Sequence, residues 1–173
     1  GAILGTEKLD ISKKAVIIMC ADNGIVEEGV SQSGQEVTVA VAKQMAKGTS
    51  SVGKMAGAIG ADTIPVDIGI NDKDQIPGVL NRKIRCGTRN FNLEPTMTEE
   101  ETVRAIFTGI DVVEDCKKKG YHILATGEMG IGNTTTSSAV VAALLKCKPD
   151  TVTGRGAGLD DKRLQHKKQI ITD

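Results

Sequence analysis

The sequence predicts an α/β fold built on a parallel sheet. Three observations carry that prediction. Short continuous apolar runs end at turn residues, the pattern of strands buried on both faces. Helical patterns fill the gaps between these runs, as alternating strands and helices do in parallel sheets. Two glycine clusters then open helices, and ligands bind at such places outside the carboxyl ends of the strands.

The first strand is read over residues 15–21, from Ala15 to Ala21, stopping at Asp22-Asn23-Gly24. A helix follows over 36–47, with Val37, Val41 and Met45 at four-residue spacing and Gly48 as its stop. Residues 50–59 form a second helix, with Gly53 and Gly57 allowing close packing. A second strand spans 64–70. The stretch 71–95 holds two prolines and the basic residues Arg82, Lys83, Arg85 and Arg89. It reads as a long excursion with room for one short helix, either functional or a solvated connection.

Thr98 and Glu101 form a capping box at the start of the next helix. Val103, Ile106, Phe107 and Ile110 give that helix an apolar stripe, and Lys117-Lys118-Lys119 suits its negative end. Residues 122–126 are the third strand, ending directly in Gly127. Residues 134–146 make an Ala- and Val-rich helix. Val152 ends a short strand before the second glycine cluster, and Asp160-Asp161 opens the last helix.

Composition removes several function classes. The 173 residues carry 22 Lys plus Arg against 22 Asp plus Glu, so no basic footprint for nucleic acid exists. The aromatic residues are Phe91, Phe107 and Tyr121, too few for a base-stacking platform. No apolar run reaches 18 residues and no signal-peptide pattern opens the chain, so no membrane partner is expected. Cys20, Cys86, Cys116 and Cys147 include no CxxC and read as reduced, mostly buried thiols of a cytoplasmic protein. With His122 and His166 as the two histidines, no histidine-rich metal site is expected. The chain opens without Met and closes inside an amphipathic pattern with no stop signal, the signature of a piece of a longer polypeptide.

The strongest chemical feature is Gly127-Glu128-Met129-Gly130-Ile131-Gly132-Asn133-Thr134-Thr135-Thr136, between a strand and a helix. Its glycines let a ligand approach the backbone, and free amides at the helix start favour an anion. Thr134 and Thr135 add hydroxyls. The lysine of a P-loop is absent, and Thr135 stands where a dinucleotide fingerprint has its third glycine. The second cluster, Thr153-Gly154-Arg155-Gly156-Ala157-Gly158, brings a cation. Lys167 borders the inward face of the last helix, placed either to reach a phosphate or to stay solvated. Asp22, Asn23, Glu27, Glu28 and Gln35 gather polar groups after the first strand. Asp67 sits inside an apolar run, where a carboxylate needs a basic partner or serves a ligand.

Taken together, these segments resemble the nicotinate-nucleotide–dimethylbenzimidazole phosphoribosyltransferase family. The resemblance rests on Ala21-Asp22-Asn23-Gly24, Glu28-Gly29-Val30-Ser31, Gln35-Glu36-Val37-Thr38, Val66-Asp67-Ile68-Gly69, Gly87-Thr88-Arg89-Asn90, the nine residues 127–135, and Gly154-Arg155-Gly156-Ala157-Gly158-Leu159-Asp160-Asp161. It implies a Rossmann-like open, mostly parallel sheet with flanking helices. It also implies transfer of 5-phosphoribose from nicotinate mononucleotide to 5,6-dimethylbenzimidazole by a cytoplasmic homodimer without a metal or cofactor. Glu128, Gly130, Asn133, Thr134, Thr135, Gly154, Arg155, Gly156 and Lys167 would hold the nucleotide, and Gln35 would lie on the base side, with Asp22, Asn23 and Asp67 as further candidate contacts.

The family's general base is a glutamate in its C-terminal part, which the resemblance places beyond Asp173. Residues 1–173 are thus expected to be most of the large α/β domain of a longer chain, lacking an N-terminal segment and the part with the base. Alone, the chain is expected to turn over poorly. A non-catalytic nucleotide- or azole-binding module of the same fold is the alternative. Asn23, Gly34 and Ala157 stand where the family often has histidine, proline and threonine.

Overall fold

Four parallel strands organise the chain in the computed structural model, which describes residues 2–3 and 5–173. They are β1 (Lys14–Ala21), β2 (Ala61–Gly69), β3 (Leu80–Asn81) and β4 (Ile123–Met129), in spatial order β3-β2-β1-β4. The helices are α1 (Glu36–Ala46), α2 (Ser51–Ala58), α3 (Glu99–Lys118), α4 (Asn133–Leu145) and α5 (Asp161–Thr172). The α/β reading of the sequence is therefore correct.

β1 is central because its side chains alternate between two apolar faces. Ile18 and Cys20 pack with Ala42 and Met45 of α1. Ile17 packs on the other face with Val66 of β2 and with Val112 and Cys116 of α3. Each fully buried aliphatic side chain of this kind contributes about 1.5–3 kcal/mol. A third cluster, Ile25, Val30 and Ile170, seats α5 beneath the loop that follows β1.

Several local expectations need correction. β4 does not stop at Gly127 but runs on to Met129, because Gly127, Glu128 and Met129 continue the ladder opposite Ile18, Met19 and Cys20. β2 begins at Ala61, earlier than expected, and contains Pro65. That proline lies before the two-residue pairing of β3, so a missing donor there breaks no ladder on that side. The excursion after β2 contains β3 and, among the described residues, no helix. Val152 ends no strand; a 3₁₀ turn, Pro149–Thr151, precedes the second glycine cluster, and the Ser138 hydroxyl donates to the Val152 carbonyl. Cys20 and Cys116 are buried, but Cys86 is exposed and Cys147 half-buried. Gly53 presses on the backbone of Gly48, whereas Gly57 faces open space.

The stripe on α3 also points away from the sheet. Ile106 is 61% exposed and Phe107 59%, because α3 packs on the sheet through Val112 and Cys116 in its C-terminal half. Its start is nevertheless well fixed. The Thr98 hydroxyl accepts from the Glu101 amide at 3.1 Å, and Glu101 accepts from the Thr98 amide at 2.8 Å. Glu101 also pairs with Arg89 at 3.2 Å and Arg85 at 3.4 Å, which ties the arginine-rich loop to the helix. The capping bond and both arginines hold the Glu101 carboxyl below its ordinary range.

Asp67 has the basic partner its burial requires. Lys83 Nζ lies 3.1 Å from its carboxylate and also donates to the Ile70 carbonyl at 2.7 Å. The Ile70 amide donates to the other Asp67 oxygen at 2.9 Å. The arrangement closes the turn after β2, and Asp67 is a structural anchor.

Two stability measurements check this account. Thr98→Ala should cost about 1 kcal/mol in chemical denaturation, the usual loss of a helix N-cap. Lys83→Met should cost more, about 3–5 kcal/mol, by leaving the Asp67 carboxylate buried without its cation. A loss of about 1 kcal/mol or less in Lys83→Met would show that the Asp67 carboxylate does not depend on its cation.

Candidate functional site

The chain leaves β1 toward β2 on one side, while β4 sits on the other. That reversal of strand order is a topological switch point, where open parallel sheets bind ligands. The loops after β1 and β4 meet there at very short range. A Cβ on Gly130 would run into the Ala21 carbonyl oxygen, and one on Gly132 would lie 2.8 Å from Val26. Gly132 also has φ +89°, a conformation that favours glycine. Here the glycines are required by close approach of two loops.

Asn23 fastens this contact. Its Nδ2 donates to the Ile131 carbonyl at 3.1 Å, and its Oδ1 accepts from the Thr136 hydroxyl at 2.9 Å. The Ile131 amide donates to Thr38 Oγ1 at 3.2 Å. The glycine loop is thus held from both neighbours, with α4 beginning at its end. Glu128 accepts from Asn133 Nδ2 at 2.6 and 2.9 Å, and Asn133 Oδ1 accepts from the Thr134 amide at 2.7 Å.

A small hollow opens over the N-terminus of α4. Asn133, Thr134, Arg155, Gly156 and Lys167 line it, together with Ser31 and Gln32 from the loop before α1. Lys167 is 1% exposed. Its Nζ donates to Thr134 Oγ1 at 2.7 Å and to the Gly154 carbonyl at 3.1 Å. Among the described residues it has no carboxylate within salt-bridge distance. Burial therefore pushes its pKa below the ordinary 10.5. A cation buried against neutral oxygens and a helix N-terminus is short of one negative charge.

Arg155 is less free than its loop suggested. Its guanidinium donates to the Leu159 carbonyl at 2.9 Å and pairs with Asp161. Asp160 caps α5, its carboxylate accepting from the Arg163 amide at 2.8 Å.

The candidates from the sequence fall into three groups, with Thr135 and Asp67 apart from them. Asn133, Thr134, Arg155, Gly156 and Lys167 share the hollow. Glu128, Gly130, Gly154 and Asn23 support it from behind through the contacts above. Thr135 does not reach it: its hydroxyl is buried and, among the described residues, without a partner. Asp67 belongs to the β2 turn. Gln35 and Asp22 form a neighbouring polar cluster. Gln35 Nε2 donates to the Asn23 carbonyl at 3.2 Å, and Asp22 Oδ2 accepts from the Asn71 amide at 2.8 Å. Burial raises the Asp22 pKa, against the lowering effect of the Thr38 hydroxyl and the Asn71 amide.

Sequence reasoning passed over Gln32, and quoted Ser31 and Thr38 within matching segments without naming either as a contact. Gln32 Nε2 donates to the Gly158 carbonyl at 2.6 Å, joining the first loop to the second glycine cluster. No spacing signal marks these residues, since their partners lie far away in sequence. The described residues contain no cluster of three or more metal-type ligands, and no helix is long and apolar enough to cross a membrane.

Known proteins share this arrangement. A phosphoribosyltransferase family model matches residues 1–173. The nicotinate-nucleotide–dimethylbenzimidazole phosphoribosyltransferase of Acetivibrio thermocellus is 48% identical over 161 residues, 93% of this chain and 46% of that protein. The enzyme of the same name from Clostridium perfringens strain 13 is 46% identical over 171 residues, 99% of this chain and 47% of that protein. The crystal structure of CobT from Thermus thermophilus superposes with a TM-score of 0.92 at 37% identity, over 98% of this chain and 51% of that one. The chain spans about half the length of the curated relatives it matches. On both sequence and fold, the chain belongs to the nicotinate-nucleotide–dimethylbenzimidazole phosphoribosyltransferase family.

Proposed function

We propose that this chain is the nucleotide-holding part of an enzyme that moves 5-phosphoribose from nicotinate mononucleotide to 5,6-dimethylbenzimidazole, giving α-ribazole 5′-phosphate and nicotinate. One observation carries the proposal: among the described residues, Lys167 is buried without a counter-ion at the start of α4, between two glycine loops. A phosphate monoester supplies the missing charge. It would accept from the Lys167 ammonium and the Thr134 hydroxyl at the positive end of the α4 dipole; the amides of residues 133–136 already donate within the chain.

The reaction needs few groups. The nicotinate of the mononucleotide is a pyridinium, so it leaves with the electron pair of the broken C1′–N bond and needs no acid. The azole nitrogen forms the new bond to C1′, and its other ring N–H loses a proton to a base. Fixing the phosphate turns the encounter into an oriented one, the largest contribution this chain makes. The proton acceptor, a glutamate by resemblance, is assigned outside residues 1–173. A general base contributes about 10²–10⁴-fold. This chain alone is therefore assigned little turnover. Gln35, beside the Asn23 carbonyl, is assigned to the azole side.

The relatives' names support both substrates. A homodimer is part of the proposal, and the exposed apolar face of α3 is compatible with it. A cytoplasmic setting fits four free cysteines.

Calorimetric titration with nicotinate mononucleotide tests the anion site. Lys167→Met should weaken binding by at least about tenfold, the loss expected for one charge-assisted hydrogen bond. In the unmodified chain, affinity should fall as alkaline pH removes the Lys167 proton, because only the ammonium attracts the phosphate. Since burial lowers that pKa, the fall should begin below the ordinary lysine range of 10.5 and be absent in Lys167→Met. Product analysis tests the reaction: the whole protein should form α-ribazole phosphate and this chain alone little or none. A whole protein that forms none from the two substrates overturns the proposal.

A further inference from the structure

Gln35 does not stand alone. Its Oε1 accepts from Asn71 Nδ2 at 2.9 Å, while its Nε2 donates to the Asn23 carbonyl at 3.2 Å. Each end of the amide thus faces a group of the opposite kind. If the amide turned over, two N–H groups would face each other at Asn71 and two carbonyls at Asn23. One Nε2 proton and one Oε1 lone pair remain for a ligand, in a fixed sense.

Asn71 is itself set in place. Its backbone amide donates to Asp22 Oδ2 at 2.8 Å, and Asp22 is 1% exposed. The Asp22 amide donates to the Gly69 carbonyl at 3.0 Å, and its carbonyl accepts from the Thr88 amide at 3.0 Å. The buried Asp22 residue therefore joins the end of β1, the turn after β2 and the loop at Thr88. Asn71 is exposed at the rim of the switch point and caps no helix. Its side chain is exposed, and among the described residues its one hydrogen-bond partner is Gln35.

We infer that Asn71 is a positioning residue: it orients the Gln35 amide so that the azole base is presented to the ribose in one sense. The inference rests on the assignment of Gln35 to the azole side. Asn71 acts on azole binding through Gln35 and leaves the phosphate end of the nucleotide untouched.

Steady-state kinetics of the whole protein provides the test, with nicotinate mononucleotide and 5,6-dimethylbenzimidazole varied separately. Asn71→Ala should raise the azole KM about fivefold, the effect of losing one neutral hydrogen bond, while the nucleotide KM stays within about twofold. Asn71→Asp should raise it at least as far, because a carboxylate accepts where Gln35 also offers an acceptor. Gln35→Ala combined with Asn71→Ala should be no worse than Gln35→Ala alone, since the two side chains act as one unit. Additive losses, both KM values rising together, or an unchanged azole KM in Asn71→Ala would each overturn the assignment. An unmodified protein that neither binds nor turns over the azole overturns the functional proposal and this inference together. One that does both, with Asn71→Ala unaffected, overturns the inference alone.

Discussion

The contact between the loops after β1 and β4 governs the rest of the site. Gly130 lies so close to the Ala21 carbonyl that no Cβ fits, and Gly132 sits against Val26 and Asn23. This proximity lets Asn23 bond Ile131 and Thr136, and lets Thr38 accept from the Ile131 amide. The start of α4 is thereby fixed relative to β1. Without small residues there, the two loops would separate, and Thr134 at the start of α4 would no longer be held beside Gly156 of the second glycine cluster.

Lys167 shows the electrostatic consequence. Folding places an ammonium group in a pocket with neutral acceptors only, Thr134 Oγ1 and the Gly154 carbonyl. Desolvation works against the charge, and no carboxylate among the described residues offsets it. Asp67 and Lys83 are the contrast. There a buried carboxylate has its cation at 3.1 Å, and the pair closes a turn. One buried charge is paired with an opposite charge and closes a turn; the other rests on neutral oxygens beside a helix N-terminus.

Packing leaves apolar side chains exposed on three elements, β4, α4 and α3. β1 is covered on both sides by α1 and α3, but β4 at the sheet edge exposes Ile123, and α4 exposes Leu144 and Leu145. The first half of α3 also carries exposed Ile106 and Phe107. These surfaces accompany a chain that spans about half of its relatives' length.

What the sequence determined by itself was local. The apolar run before Asp22 marked β1, the spacing of Val37, Val41 and Met45 marked α1, and Thr98 with Glu101 marked the start of α3. Turn chemistry and periodicity act over a few residues, so they can be read in order along the chain. The glycine cluster at 127–136 was legible as a strand-to-helix junction for the same reason, although its strand ran two residues past Gly127. Tertiary structure decided which of the candidates meet. Lys167 finds Thr134 across 33 positions, and Gln32 finds Gly158 across 126. Tertiary structure also turned Thr135 inward, assigned Asp67 to Lys83 and left the stripe on α3 outside the core. Such outcomes depend on how elements distant in sequence pack together, and no spacing within one element encodes them.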